Sequence, residues 1–214
     1  MTLFVVTGYS HFPGCPENPT ESLVNRLKEE LLKRGVKAVV CKVLPVSAEF
    51  VDKWLVETAR ELLPSQPIVW VHFGVDSTAE RFKLEAQAYN EATFREPDED
   101  GWQPQHEPID THPGCSPDTC LHTRLPLQRV LDKLQGLGHD VQISHSAGRY
   151  LCNYIYFRSL QHCTNVPNWH ALFVHVPPLK YASQEAELAF SLDLFDQLAH
   201  QVKASVPLNQ IASR

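Results

Sequence analysis

The sequence has no basic run, no long apolar run and no basic leader, and each absence excludes a class of protein. Its 19 lysine and arginine residues are outnumbered by 25 aspartate and glutamate residues, for a formal net charge of −6. This balance argues against nucleic acid as a partner, because binding to a phosphate backbone needs clustered positive charge. No apolar stretch approaches the length of a membrane span, which argues against a membrane protein.

The N-terminal residues and the cysteines indicate a cytoplasmic protein. Residues 1–7 lack the basic segment and the cleavage site of a secretion signal, so they predict a first core strand. The six cysteines are scattered along the chain, and reduced thiols are expected without secretion. The length of 214 residues and the apolar share of 43% suffice for a full core, and we predict a single domain over residues 1–214.

Short apolar runs alternate with segments of helical periodicity through most of the chain. Strands are predicted at residues 3–7, 36–43, 67–73, 140–144 and 171–176, and helices at residues 19–34, 47–63, 125–137, 151–160 and 183–202. Asn18 and Pro19 are typical of a helix start, and Gly35 of a helix end. This alternation predicts an α/β protein, a three-layer fold with a mostly parallel, twisted central sheet and helices on both faces.

Residues 74–123 break the alternation. They are polar, rich in Asp, Glu, Pro and His, and poor in long periodic segments. The segment is too long for a simple connection between two elements, and long loops of this kind tend to carry function. We therefore predict a functional insert here.

A cysteine and a histidine occur where α/β folds bind ligands, in or beside the loops that follow the strands. These loops are predicted at residues 8–18, 74 onward, 144–151 and 177–178. Cys152 lies near a helix start and His175 near a strand end, an arrangement that suits a thiol nucleophile and its base. Taken singly, each is more often a buried structural residue. A third group must orient the imidazole. Spacing alone does not favour Glu85 over Glu80 or Glu91 in that role.

Four blocks of residues carry a resemblance to a known family. They are Thr7-Gly8-Tyr9-Ser10-His11-Phe12 with Asn18-Pro19-Thr20, His72-Phe73-Gly74-Val75 with Glu85 and Asn90, Ser146-Ala147-Gly148-Arg149-Tyr150-Leu151-Cys152-Asn153, and Phe173-Val174-His175-Val176-Pro177. In these blocks the chain resembles pyroglutamyl-peptidase I, a family of cysteine omega-peptidases, over nearly its whole length. The order and separation of the last two blocks are the most specific part of the resemblance.

The resemblance implies a peptidase that removes N-terminal pyroglutamyl residues from peptides through an acyl-thioester. It makes Cys152 the nucleophile, His175 the base and Glu85 the third member of the triad. It also assigns substrate binding to seven residues: Tyr9 and Phe12 as the aromatic walls around the pyroglutamyl ring, Arg95 near the oxyanion, and Asn18, Val75, Tyr150 and Leu151. It implies no cofactor and no metal, and its partners are peptides with N-terminal pyroglutamate. A homo-oligomer is left open.

The chain departs from the family pattern at two places. Tyr9 stands where phenylalanine is usual, and Pro13-Gly14-Cys15 follows Phe12 where glycines are common. Neither departure touches the proposed triad.

Other interpretations of the sequence remain open. His112, Cys115, Cys120 and His122 have the residue types of zinc ligands, but their spacing matches no standard zinc pattern, which favours a plain surface loop. An inactive family member acting as a binding module and an amidase of another small acyl group are the alternatives in function. A serine hydrolase of the α/β type is disfavoured, since no Gly-x-Ser-x-Gly occurs.

Overall fold

The structure, a computed structural model, describes residues 2–12, 18–34, 36 and 39–204. The helices are α1 (Pro19–Lys33), α2 (Ala48–Glu61), α3 (Leu127–Gly136), α4 (Leu151–Thr164) and α5 (Gln184–Ala204). The strands are β1 (Leu3–Tyr9), β2 (Val39–Leu44), β3 (Ile68–Val75), β4 (Phe82–Glu85), β5 (Gln87–Tyr89), β6 (Cys120–His122), β7 (Val141–Ser144) and β8 (Trp169–Val176). The five predicted helices and five predicted strands are confirmed, with shifted ends. Within the described ranges, no helix is both long enough and apolar enough to span a bilayer.

The central sheet has six strands in the order β2-β1-β3-β8-β4-β7. Strands β2, β1, β3 and β8 run parallel, whereas β4 is antiparallel to β8 and parallel to β7. The predicted mostly parallel sheet is therefore confirmed, with two reversed strands at one edge. Strands β1, β3 and β8 are buried along almost their whole length, which explains their near-continuous apolar sequences.

The side chains of each strand alternate between two cores, one on each face of the sheet. Val71 and Val174 belong to the core packed against α1, α3 and α5. Trp70 and Phe173 belong to the core packed against α2 and α4. Helices thus cover both faces, as predicted. Because His175 is two residues from Phe173 on the same strand, its side chain faces the α2 and α4 side.

The start of α1 follows the sequence prediction. The Asn18 side chain accepts a hydrogen bond from the backbone N–H of Thr20 at 3.1 Å, and Pro19 is the first helical residue. The helix ends at Lys33. Gly35, which was predicted to end it, lies outside the described residues, as does Pro13-Gly14-Cys15.

Residues 74–123, predicted as a functional insert that is poor in long periodic segments, contain the three short strands β4, β5 and β6. Strand β4 is an interior strand of the central sheet, between β8 and β7. Strands β5 and β6 pair antiparallel in a second, two-stranded sheet. Residues 82–85 do alternate between apolar and polar, but four residues are too few for periodicity to identify a strand.

Candidate active site

Cys152 is the second residue of α4, as the turn between residues 144 and 151 predicts. Within that turn Gly148 has a φ of 78°, a conformation that side chains disfavour. The helix starts at Leu151 without a side-chain cap. N–H groups in the first turn of a helix have no partner within the helix. The backbone N–H of Cys152 is therefore available to a negatively charged oxygen.

His175 and Glu85 reach each other from neighbouring strands. His175 is the next-to-last residue of β8, and Glu85, the last residue of β4, pairs with Phe173 in the antiparallel register. Phe173 and His175 share one face of the sheet, so Glu85 meets His175 on the diagonal. Glu85 Oε1 lies 2.7 Å from His175 Nδ1, and both side chains are buried. The Tyr156 hydroxyl donates to the Glu85 carbonyl at 2.7 Å, which holds the end of β4 in place.

Hydrogen bonds join Cys152, His175 and Glu85. Burial lowers the pKa of His175, but its hydrogen bonds with Cys152 and Glu85 outweigh that effect and raise the pKa above its ordinary value. Since Nδ1 is taken by Glu85, Nε2 is the ring nitrogen left for Cys152. This arrangement can hold a thiolate beside an imidazolium, the reactive form of a cysteine nucleophile.

A cavity of about 350 Å³ opens onto Cys152 and His175. All seven residues predicted to bind substrate line it: Tyr9, Phe12, Asn18, Val75, Arg95, Tyr150 and Leu151. Glu85 is fully buried and does not line the cavity. The structure thus brings the ten predicted residues to one place, with Glu85 behind His175.

Aromatic side chains in the cavity wall are held rigidly. Tyr9 is buried, and its hydroxyl donates to the carbonyl of Leu151 at 3.2 Å. Tyr150 packs edge-on against Phe94 with ring centroids 4.6 Å apart. Phe12 is partly exposed and completes the aromatic part of the wall. A rigid aromatic wall suits a small, flat, uncharged ring.

A larger cavity of about 680 Å³ adjoins the first. The two cavities share Phe12, Val46, Arg95 and Tyr150, and residues 96–99 complete the wall of the larger one. Arg95 is exposed and lines both cavities. In the part of the chain that the structure describes, its guanidinium pairs with no carboxylate. This cation is therefore free to bind a polar group of a ligand.

Gly74, Val46 and Asp76 also line the cavity, although the sequence interpretation assigned none of them a role. A Cβ atom on Gly74 would lie 3.0 Å from the Cys152 sulfur, so the site needs glycine there. Val46 and Asp76 follow the ends of β2 and β3. Asp76 lies in the loop from residue 74 onward, which the rule that ligands gather beyond the carboxyl ends of strands had indicated, and the same rule applied to β2 would have indicated Val46.

The residues considered as zinc ligands do not assemble into a site. Among the described residues, no group of three or more His, Cys, Asp or Glu side chains could hold a metal ion. His112 Nδ1 instead lies 2.5 Å from Asp110 Oδ1. Cys115 donates to the other oxygen of Asp110 at 3.4 Å. These contacts favour the alternative of a plain surface loop.

Comparison with known proteins identifies the family. The family model described as pyroglutamyl peptidase matches residues 2–205 of the chain. The chain belongs to the pyroglutamyl peptidase family. The pyrrolidone-carboxylate peptidase of Thermococcus litoralis is 33% identical over 83% of this chain and 77% of that protein. The pyrrolidone-carboxylate peptidase of Pyrococcus furiosus is 34% identical over 81% of this chain and 79% of that protein.

Solved structures of the family have the same fold. The pyrrolidone carboxyl peptidase from Fervidobacterium islandicum AW-1 superposes with a TM-score of 0.79 at 25% identity, covering 94% of this chain and 99% of that chain. The one from Thermus thermophilus has a TM-score of 0.76 at 29% identity and covers 90% of this chain and 97% of that chain. The resemblance inferred from the four sequence blocks is confirmed.

Proposed function

We propose that this protein is a cysteine peptidase that removes N-terminal pyroglutamyl residues from peptides. The proposal rests on the Cys152–His175–Glu85 arrangement beside an aromatic cavity that Cys152 and His175 line, in a chain of the pyroglutamyl peptidase family. The substrate class is taken from that family and from its relatives, which are pyrrolidone-carboxylate peptidases. No cofactor enters the proposed reaction.

The first half of the reaction transfers the acyl group to the enzyme. The Cys152 thiolate attacks the carbonyl carbon of the pyroglutamyl residue and forms a C–S bond, and the carbonyl oxygen becomes an oxyanion. The backbone N–H of Cys152 and the Arg95 guanidinium stabilise that charge, and such donors contribute roughly 3 kcal/mol each. The C–N bond then breaks, and the His175 imidazolium gives its proton to the departing amine.

The second half releases the product. His175, now neutral, takes a proton from water, and the resulting hydroxide attacks the thioester carbonyl. The C–S bond breaks, which frees pyroglutamate and returns the Cys152 thiolate beside the His175 imidazolium. Glu85 keeps Nδ1 of His175 protonated and the ring oriented throughout.

The walls of the cavity suit a lactam ring. A lactam carries no charge for the protein to bind, so affinity must come from aromatic contact and from hydrogen bonds to the ring amide. Tyr9 and Phe12 supply the aromatic contact in this proposal. Val75 and the segment at Tyr150 and Leu151 close the pocket. Asn18 adds a polar side chain to the same wall.

The first test removes the proposed nucleophile. Replacing Cys152→Ala should lower the release of aminomethylcoumarin from a pyroglutamyl-coumarin substrate by at least about 10³-fold, because the covalent route is lost. The circular dichroism spectrum should be unchanged, since the cavity accommodates the smaller side chain. Retained turnover in this variant would remove Cys152 from the mechanism.

Cys41→Ala is the matched control for the nucleophile. Cys41 is another partly exposed thiol, and burial raises its pKa to about 11. We expect full activity in this variant. Iodoacetamide should alkylate Cys152 of the wild-type protein first, and free pyroglutamate should slow that reaction. If loss of activity instead followed alkylation of Cys41, the assignment would be wrong.

A second test separates the base from the residue that orients it. His175→Ala removes the proton carrier and should cost at least about 10³-fold in kcat/KM, whereas Glu85→Gln keeps a hydrogen-bonding side chain and should cost less. The order of the two losses, measured with the coumarin substrate, is the result to check. A larger loss in Glu85→Gln would mean that the carboxylate acts on the substrate itself.

Two alternatives are decided by the same assay. A binding module that has lost catalysis would bind pyroglutamyl peptides without releasing coumarin. An amidase of another small acyl group would release coumarin faster from a prolyl or glutamyl substrate than from the pyroglutamyl one.

We also propose a reducing compartment, the cytoplasm, because the five cysteines that the structure describes are free thiols.

A further inference from the structure

An ion pair beside His175 has no role in the reaction as proposed so far. Lys83 Nζ lies 2.6 Å from Asp76 Oδ2, and both side chains are about one-fifth exposed. Asp76 lines the same cavity as Cys152 and His175. A partly buried ion pair at the wall of a reaction site acts electrostatically on the groups beside it, because it is less screened than a surface pair.

The sheet register places Lys83 directly beside His175. The two residues are opposite each other in the antiparallel pairing of β4 and β8. Side chains in such a pair lie on the same face of the sheet, with Cβ atoms roughly 5 Å apart. By itself, the Lys83 ammonium would therefore repel an imidazolium at His175.

Hydrogen bonds hold Asp76 in place, and its carboxylate offsets the charge of the Lys83 ammonium. Its Oδ1 accepts hydrogen bonds from the backbone N–H and the hydroxyl of Thr78 at 2.9 and 2.7 Å. Its own N–H donates to the carbonyl of Val176, the residue after His175, at 3.1 Å. Thr78 and the backbone contact with Val176 thus fix the position of the Asp76 carboxylate.

Three other side chains and one glycine face His175 from the neighbouring elements. Glu85 and Lys83 face it from β4, and Cys152 faces it from α4. Gly74 is its neighbour on β3 and has no side chain. Although partial burial raises the pKa of Asp76, hydrogen bonds from Lys83 and Thr78, with the nearby His175 charge, lower it to about 2. Asp76 is therefore a carboxylate at every pH at which the reaction would run.

We propose that Asp76, paired with Lys83, is a positioning residue that keeps His175 in the imidazolium form. This inference rests on the proposed function for its catalytic consequence. Asp76 cancels the repulsion between Lys83 and the imidazolium, so that His175 retains the proton that it must deliver to the departing amine. The pair thus sets the upper pH limit of the reaction, whereas Glu85 sets the orientation of the ring.

A double-mutant cycle tests the proposal through the sign of its effects. Asp76→Asn keeps the hydrogen-bond acceptor for Thr78 but leaves the positive charge of Lys83 without its partner. The alkaline limb of the pH profile of kcat/KM should therefore shift to lower pH by about 0.5–1 pH unit. Lys83→Met leaves the Asp76 carboxylate unpaired and should shift that limb to higher pH by about as much. The double variant should return to the wild-type limb.

The pH dependence of Cys152 alkylation by iodoacetamide gives the same readout without peptidase activity. Its upper step, the loss of the His175 proton, should move in the same directions in the same three variants. A wild-type protein without pyroglutamyl release would contradict the proposed function, and the alkylation profiles would still decide the role of Asp76.

Asp140→Asn is the matched control, because Asp140 and Arg81 form an ion pair just before β7 and β4, and Asp140 is exposed and does not line the cavity. Its profiles should match those of the wild type. If Asp76→Asn and Lys83→Met lower stability but leave both profiles in place, or if the double variant shows no restoration, the pair is structural and the proposal is wrong.

Discussion

At Gly74 the absence of a side chain makes room for Cys152, the proposed nucleophile. A Cβ atom there would lie 2.7 Å from Cζ of Phe173 and 3.0 Å from the sulfur of Cys152. Phe173 is fully buried in the core and cannot move aside without a packing cost. Any side chain at position 74 must therefore displace the sulfur, the ring or the end of β3.

We expect Gly74→Ala to lower kcat/KM by about 100-fold, because a displacement near 1 Å in a reacting group costs on that order. Overpacking should also lower the free energy of unfolding by about 1–3 kcal/mol. Steady-state kinetics and urea unfolding measure the two effects. Gly136→Ala is the control, since a Cβ on this helical glycine would meet no atom within 4 Å apart from the backbone of its own helix and its chain neighbours. Full activity in Gly74→Ala would mean that Cys152 does not react from this position.

At the scale of elements, the sequence predicts α4 and β8 well and β4 poorly. The small-residue turn before Cys152 and the apolar run around His175 are strong local signals, and each side chain lies on the element predicted for it. Strand β4 is four residues long, and its identity depends on pairing with β8 and β7. Such long-range pairing leaves no local pattern, so only the family resemblance could single out Glu85.

The contacts of Asn153 show why the neighbouring strand β5 was also missed. Asn153 follows Cys152, the proposed nucleophile, and is fully buried. Its side chain accepts from the N–H of Tyr89 at 2.9 Å and donates to the carbonyls of Tyr89 and Glu91, each at 2.9 Å. Strand β5 is thus attached to α4 by one side chain far away in sequence. Those bonds satisfy buried backbone groups that a three-residue strand cannot satisfy alone.

At the scale of the whole molecule, the two cores differ in how they bury a carboxyl group. The core against α2 and α4 ends at the cavity, where one oxygen of the buried Glu85, Oε1, is paired with His175 Nδ1. On the opposite side of the sheet, Glu187 of α5 is 1% exposed, and neither of its carboxylate oxygens has a hydrogen-bond partner among the described residues. Burial raises the pKa of Glu187 to about 8, against a weaker opposing effect of Arg26. The folded chain therefore binds a proton there that the unfolded chain releases at a much lower pH.

This difference in proton binding between the folded and the unfolded chain predicts how stability depends on pH. The contribution of protonated Glu187 is fully present below its ordinary pKa of 4.5 and is lost as the pH rises through about 8. Glu187→Gln keeps a neutral side chain at every pH. The free energy of unfolding of this variant, taken relative to that of the wild type, should therefore be about 2–4 kcal/mol higher at pH 8.5 than at pH 5. Urea unfolding at these two pH values measures the gain. Glu185→Gln, on the same helix but exposed and paired with Arg26, should show a change of less than about 1 kcal/mol. Parallel stability curves for the wild type and Glu187→Gln would show that Glu187 is already ionised in the folded protein.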